Sequence, residues 1–177
     1  MLVEAYQTPV YNLCYRMLGE PTEAEDAAQE TFLRAYQGMR RYDPERPFAT
    51  WLLAIASHYC IDRMRRKRIP VLSVESLEPG QEYPEAEPGP EERLALRQRR
   101  EIIDEISRSL EDQDRAVIVL RYWYDMSCEE IGQALSLSVS AVKSRLHRAR
   151  RELAQRWLDQ ERQTAALRGR RHEPSAV

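Results

Sequence analysis

"EEIGQALSLSVSAVKSRLHRARREL", residues 129–153, decides how the chain is read. Just upstream, Ser127 and Glu130 stand three apart at the head of "MSCEEIGQAL" (126–135), the spacing of a capping box that opens a short helix. "SLS" then turns the chain, and Ser138 is placed to cap a second helix. Two short helices joined by a three-residue turn are the layout of a helix-turn-helix. Wound at about 100° per residue, Val139, Val142, Leu146, Ala149 and Leu153 fall in one narrow sector and are predicted to pack inward. The opposite face carries Ser140, Ala141, Ser144, Arg148 and Arg151, with Lys143, Arg145 and His147 on its flanks. Small residues permit close approach to a duplex, arginines can take guanine edges bidentately, and flanking bases neutralise phosphates. A merely solvated face ordinarily mixes signs for i,i+4 pairing. From Lys143 to Arg151 there are five Lys/Arg, one His and no acid, which favours duplex DNA as the partner.

That concentration is hidden in the totals. The 177 residues carry a formal net charge of −2. Residues 40–68 hold eight Lys/Arg against three acids, residues 138–171 ten against three, and residues 75–92 seven Glu with no base. Two basic segments separated by an acidic one leave nucleic acid open as a partner.

The acidic stretch "VLSVESLEPGQEYPEAEPGPEER" (71–93) contains four Pro and two Gly and no helical apolar period, so it reads as a linker. It divides an all-α chain into two small helical domains: residues 1–68 and 94–158, joined by an acidic Pro/Glu linker over 69–93 and followed by a basic tail, 159–177, expected to be disordered. In the second unit, "EERLALRQRREIIDEISRSL" (91–110) and "EDQDRAVIVLRYWYD" (111–125) are predicted helices, with Val117, Leu120 and Tyr124 at inward spacing. In the first, "EAYQTPVYNLCYRMLG" (4–19) is predicted to be a helix stopped by Gly19, with Pro9 marking a first turn or a break. "PTEAEDAAQETFLRAYQGM" (21–39) follows, with Thr22 as expected N-cap and a stripe of Ala24, Ala27, Ala28, Phe32 and Ala35. After the break at "RRYDPERP" (40–47), "FATWLLAIASHYCIDRMRRKR" (48–68) is a helix that begins apolar and ends basic. This region interleaves Tyr42, Phe48, Trp51 and Tyr59 with arginines. Aromatic faces stack on unpaired bases while cations follow the backbone, the chemistry of single-stranded DNA binding; the same aromatics also suit the core of a small bundle.

The strings "DAAQETFLRAY", "F..WL..IA....ID..R" and "VKSRLHRAR", in this order around an acidic linker, closely resemble an ECF-type bacterial RNA polymerase sigma factor over about residues 4–158. The resemblance implies a transcription initiation factor that binds core RNA polymerase, at its clamp helices and flap, and directs it to promoters. The 26–37 helix, with Asp26, Gln29, Glu30, Phe32 and Arg34, would dock on the polymerase. Arg46, Phe48, Trp51, Tyr59, Arg63, Arg65 and Arg66 would serve the melted −10 element: the aromatics partly as core and partly as the wall of a pocket for a flipped base, Arg63, Arg65 and Arg66 on the backbone. The helix-turn-helix would read the −35 duplex, with Ser140, Ala141, Ser144, Arg145 and Arg148 toward bases and Lys143, His147 and Arg151 nearer phosphates. The acidic linker would thread the polymerase cleft. An anti-sigma factor is an expected partner, and packing of the two domains on each other a possible mask. Against the family pattern, Ser136 stands where the turn often has Gly, Ala141 where many relatives have Thr, and Glu111 where Pro is common.

Other classes fit less of the chain. A dimeric helix-turn-helix regulator working without polymerase accounts for 127–153 and leaves the 26–37 helix and the 40–68 segment unexplained. No Gly-rich phosphate loop or nucleophile triad order appears, so no enzyme is expected. Three cysteines, Cys14, Cys60 and Cys128, far apart in sequence, suggest a reducing compartment. His58 and Cys60 point to different faces of a helix, so neither metal nor cofactor is expected. No apolar run approaches the roughly 20 residues that cross a bilayer, and the expected location is cytoplasmic, without membrane insertion.

Overall fold

The computed structural model describes residues 2–67 and 109–170. Six α-helices occupy them: α1 (Leu2–Leu18), α2 (Pro21–Gly38), α3 (Phe48–Lys67), α4 (Asp112–Trp123), α5 (Cys128–Leu135) and α6 (Val139–Arg170), with a 3-10 turn at Met39–Arg41. No strand is present among the described residues. The expected helix at 91–110 lies outside them apart from its end, where Leu110 is buried, and so do the linker and residues 171–177.

α1 ends where Gly19 adopts φ 79° and returns its N–H to the Tyr15 carbonyl, the left-handed stop that glycine takes without strain. Pro9 does not break this helix. A proline inside a helix costs about 3 kcal/mol. Val10, Leu13, Cys14 and Met17 are fully buried beyond it, and side chains of that size contribute about 1.5–3 kcal/mol each, so packing wins. α2 starts differently from expectation: Glu20, not Thr22, is the N-cap, its carboxylate accepting from the Thr22 and Glu23 amides at 2.9 and 2.7 Å. Pro21 explains the shift. It suits the first helical position and forces the residue before it into extended backbone, the conformation a cap needs; Glu20 sits at φ −131°, ψ 127°.

The α2 stripe of Ala24, Ala27, Ala28 and Ala35 is buried, with Thr31 completing it by donating to the Ala27 carbonyl at 2.7 Å. These small residues let α1 and α3 approach closely. Phe32, expected in the stripe, is half-buried at its margin. α3 answers with Leu52, Leu53, Ala56, Ser57, Cys60, Ile61 and Met64. Cys14 and Cys60, remote in sequence, meet here; the hydrogen bond between the thiols, with burial added, pushes the Cys60 thiol well up. Such a thiol is packing material, not a nucleophile.

The two halves share one core. α4 packs on α1 and α3, and α5 on α3, while α6 lies on α4 and α5. At the junction the buried Arg115 donates to the Met17 carbonyl at 2.6 Å, the Tyr124 hydroxyl donates to the Pro9 carbonyl at 2.6 Å, and the Arg16 guanidinium lies 4.9 Å over the Trp123 ring. α6 continues to Arg170, through residues expected to form an unstructured tail. Between Leu153 and Leu167 the sequence has neither Gly nor Pro and is rich in Ala, Leu, Gln, Glu and Arg, all good helix formers, and Arg156 pairs with Glu152 at 2.9 Å.

Candidate nucleic-acid interface

The helix-turn-helix is assembled by local chemistry. Glu130 N–H donates to Ser127 Oγ at 3.1 Å and Ser127 N–H to Glu130 Oε2 at 2.7 Å, the complete capping box. The turn closes with the Leu137 amide on the Gly132 carbonyl at 2.8 Å, with Ser136 in left-handed backbone at φ 56°. A Cβ on Gly132 would lie 2.8 Å from the Leu137 carbonyl oxygen, so the crossing of α5 and the turn requires glycine there. Ser138 Oγ accepts the Ala141 amide at 3.1 Å and starts α6.

Val142, Leu146 and Ala149 are buried and Val139 and Leu153 half-buried, which sets the inward face of α6. Ser140, Lys143, Ser144, His147, Arg148, Arg150 and Arg151 are exposed, and Ala141 and Arg145 half-buried. Arg150, which the sequence reading did not single out, donates from Nε to the Tyr122 hydroxyl at 2.7 Å. Arg145 and Arg148 are held from below. The Asp114 carboxylate, 1 % exposed, accepts Arg145 Nη1 at 2.6 Å, Arg148 Nε at 2.7 Å and Arg148 Nη2 at 2.8 Å. Glu111 adds a 3.3 Å contact from Arg148 Nη2. Burial by itself would raise the Asp114 carboxyl, but the hydrogen bonds from Arg148 and Arg145 outweigh it and hold the group below the ordinary carboxylate range. Neither acid was visible as a site residue in the sequence, because acids at the start of a helix are ordinary and only the fold brings α4 beneath α6.

On the other half, Phe48 and Trp51 stand 5.5 Å apart, centroid to centroid, in a cluster completed by Tyr42 and Tyr6. Arg46 lies exposed at its rim, 3.5 Å from Asp43, and its carbonyl takes the Tyr42 hydroxyl. Tyr59 is not part of this cluster. It lies eight residues beyond Trp51 along α3, about 12 Å at the helical rise, with the Arg34 guanidinium 4.7 Å over its ring. Arg34, Tyr59, Asp62, Arg63 and Arg66 line a groove of about 220 Å³. Arg63 is tied down there, 3.3 Å from the Tyr59 hydroxyl and 3.6 Å from both Glu23 and Asp26, while Arg65 and Arg66 are exposed.

Along α2, Asp26, Gln29 and Arg34 are exposed and Glu30 is half-buried, its carboxylate pairing with Arg34 at 2.7 Å. The structure adds residues missed by the sequence reading: Leu33 is 51 % and Tyr36 80 % exposed, with Met39 just beyond. Gln29, Leu33 and Tyr36 follow i, i+4, i+7 and share a face. Leu33 and Tyr36 leave apolar surface exposed on that face.

The Sigma-70 region 2 family matches residues 2–69 and the Sigma-70, region 4 family residues 100–153. The ECF RNA polymerase sigma factor SigW of Bacillus subtilis is 38% identical over 164 residues, covering 89% of this chain and 88% of that protein. The RNA polymerase sigma factor CnrH of Cupriavidus metallidurans is 36% identical, covering 78% of this chain and 76% of its own length. Among solved structures, CnrH in complex with the cytosolic domain of CnrY matches with a TM-score of 0.61 at 29% identity, over 89% of this chain and 85% of that one. The sigma factor RpoE bound to the anti-sigma factor NepR, from Bartonella quintana, matches in fold with a TM-score of 0.65 at 17% identity, over 86% of this chain and 92% of that one. No helix among the described residues is long and apolar enough to cross a membrane. This chain belongs to the ECF RNA polymerase sigma factors, initiation factors that bind core RNA polymerase and direct it to promoters.

Proposed function

We propose how the three surfaces divide that work. The outward strip of α2, with Asp26, Gln29, Glu30, Leu33 and Tyr36, docks on core polymerase in the cytoplasm. Arg46, Phe48 and Trp51 at the start of α3 receive the unpaired strand of the −10 element, where stacking on an aromatic ring contributes about 1–3 kcal/mol per base. That offsets the few kcal/mol each unstacked base costs. Tyr59, Arg63, Arg65 and Arg66 follow the phosphates along the rest of α3. α6 enters the major groove of the −35 duplex with Ser140, Ala141, Ser144 and Arg148 foremost. Lys143, His147 and Arg151 approach phosphates, and Arg145 supports Arg148 from beneath. The chain acts by binding and melting, not as a catalyst. An anti-sigma protein occupies one or more of these surfaces when the factor is held inactive, as the names of the complexes of its structural relatives suggest.

The observation that carries this reading is the division of α6, apolar toward α4 and α5 and free of acids from Lys143 to Arg151 on the outside. Run-off transcription with core RNA polymerase on a genomic fragment library tests it. Initiation at a shared two-part motif, lost with Trp51→Ala or Arg151→Ala, is the expected result. Binding of palindromic duplex without any stimulation of core polymerase is the result that replaces it with a dimeric regulator.

A further inference from the structure

We infer that Asp114 is a positioning residue for −35 recognition: from beneath the recognition helix it fixes one edge of the Arg148 guanidinium and so aims the other edge at the DNA. The inference rests on the proposed reading of α6 as the duplex-reading helix and goes beyond it by assigning a role to a residue of α4 that touches no DNA.

The geometry is specific. An arginine carries five N–H donors in a rigid planar fork. Arg148 spends Nε and one Nη2 hydrogen on the two Asp114 oxygens, at 2.7 and 2.8 Å, and turns its other Nη2 hydrogen toward Glu111 at 3.3 Å. Both Nη1 hydrogens remain, on a side chain that is still 56% exposed. Asp114 is itself buried, with a side chain 2% exposed at the head of α4, and Arg145 donates to it from the side at 2.6 Å. A free arginine loses about 2 kcal/mol of rotamer freedom when it is fixed on a base. Here folding has already removed most of that freedom. The Asp114 contact leaves Arg148 one nitrogen for the groove unless the longer Glu111 contact gives way, in which case the Nη1–Nη2 pair reaches a guanine as a fork.

Charge alone predicts the opposite consequence for Asp114. A carboxylate just under a DNA-facing helix repels phosphates, so its removal should tighten binding to any sequence. A positioning role predicts that removal flattens base preference instead. The two are separable with full-length protein in complex with core polymerase, on promoters carrying a fixed −10 element and a randomised −35 element. We expect wild type to prefer one base pair that Arg148→Ala reads roughly tenfold less selectively, the size of one lost base contact. Asp114→Asn and Asp114→Ala are expected to flatten the same base pair, and Asp114→Ala/Arg148→Ala to add nothing further. Thermal melting of each free protein separates a folding defect, since a merely unfolded fraction lowers initiation from all −35 sequences equally. Uniform loss across the library with the preference intact overturns the inference, as does a preference lost additively in the double variant. A null effect of Arg148→Ala on preference, with Ser144→Ala still altering it, overturns the inference and leaves the −35 reading standing. No dependence on the −35 sequence in wild type overturns both.

Discussion

Ser136 holds the turn of the helix-turn-helix in left-handed backbone, φ 56° and ψ 42°, on an exposed side chain that makes no capping bond of its own. The conformation costs a non-glycine residue about 1–2 kcal/mol. Ser136→Gly is therefore expected to raise stability by about 0.5–1 kcal/mol, part of the strain being returned as entropy of the unfolded chain, measured as a higher urea midpoint. Gly132→Ala should do the reverse. Its Cβ would press on a backbone oxygen 2.8 Å away, and that backbone is the turn itself. A loss of about 1–3 kcal/mol, as for other overpacked sites, is expected in the same titration. Ser136 was legible as a departure at a glycine position; Gly132 was not, because its constraint comes from how closely the turn crosses α5. Asp114 adds a pH signature. Its carboxyl is depressed in the fold, so the stability it contributes is present above the unfolded value of about 3.9 and lost as pH falls through the lower folded value. The stability gap between wild type and Asp114→Asn should be flat from pH 7 to about 5 and close below pH 4, followed by denaturant unfolding at each pH.

Among the elements, those whose hydrophobic period and caps agree could be read directly. α5 and the start of α6 follow from Ser127, Glu130, Ser138 and the Val142–Leu146–Ala149 stripe, every one of which does in the fold what its spacing implied. For α2 the sequence predicts the helix and its alanine stripe but the wrong cap and one wrong stripe member: Thr22 and Glu25 match the capping pattern while Pro21 makes Glu20 the cap, and Thr31, not Phe32, is buried. What periodicity could not show is which exposed residues form a surface. Leu33 and Tyr36 read as ordinary apolar residues of a helix; only the packing of α1 and α3 on the alanine side leaves them outside. Tyr36→Ala thus separates folding from docking. With the ring 80 % exposed, stability should change by less than about 0.5 kcal/mol. Affinity for core polymerase should fall roughly tenfold if the ring is a central anchor of the contact, as measured by competition for core against wild-type protein.

At the scale of the whole molecule, the two surfaces proposed to face DNA lie close together. α5 is the layer between α3 and α6, so two helix-packing distances, about 20 Å in all, separate α6 from α3. Promoter elements centred about 10 and 35 base pairs upstream are about 85 Å apart along a duplex at 3.4 Å per pair. One compact body cannot occupy both, so engaging a promoter requires the halves to part at the α1–α4, α3–α4 and α3–α5 contacts. The 25 residues read from the sequence as the linker, 69–93, are long enough to span about 85 Å if fully extended. Parting leaves the Met17 and Pro9 carbonyls to water and breaks the bonds from Arg115 and Tyr124. Hydrogen bonds of this kind contribute about 1 kcal/mol each, and more when charged; the apolar surface the halves share adds to that cost, and polymerase and promoter contacts have to offset both. Arg115→Met with Tyr124→Phe should therefore increase the radius of gyration of the free protein in solution scattering while leaving run-off transcription by the holoenzyme equal or higher. A fall in transcription in step with the loss of compactness would mean instead that polymerase binds the packed form, with the junction as part of the working assembly.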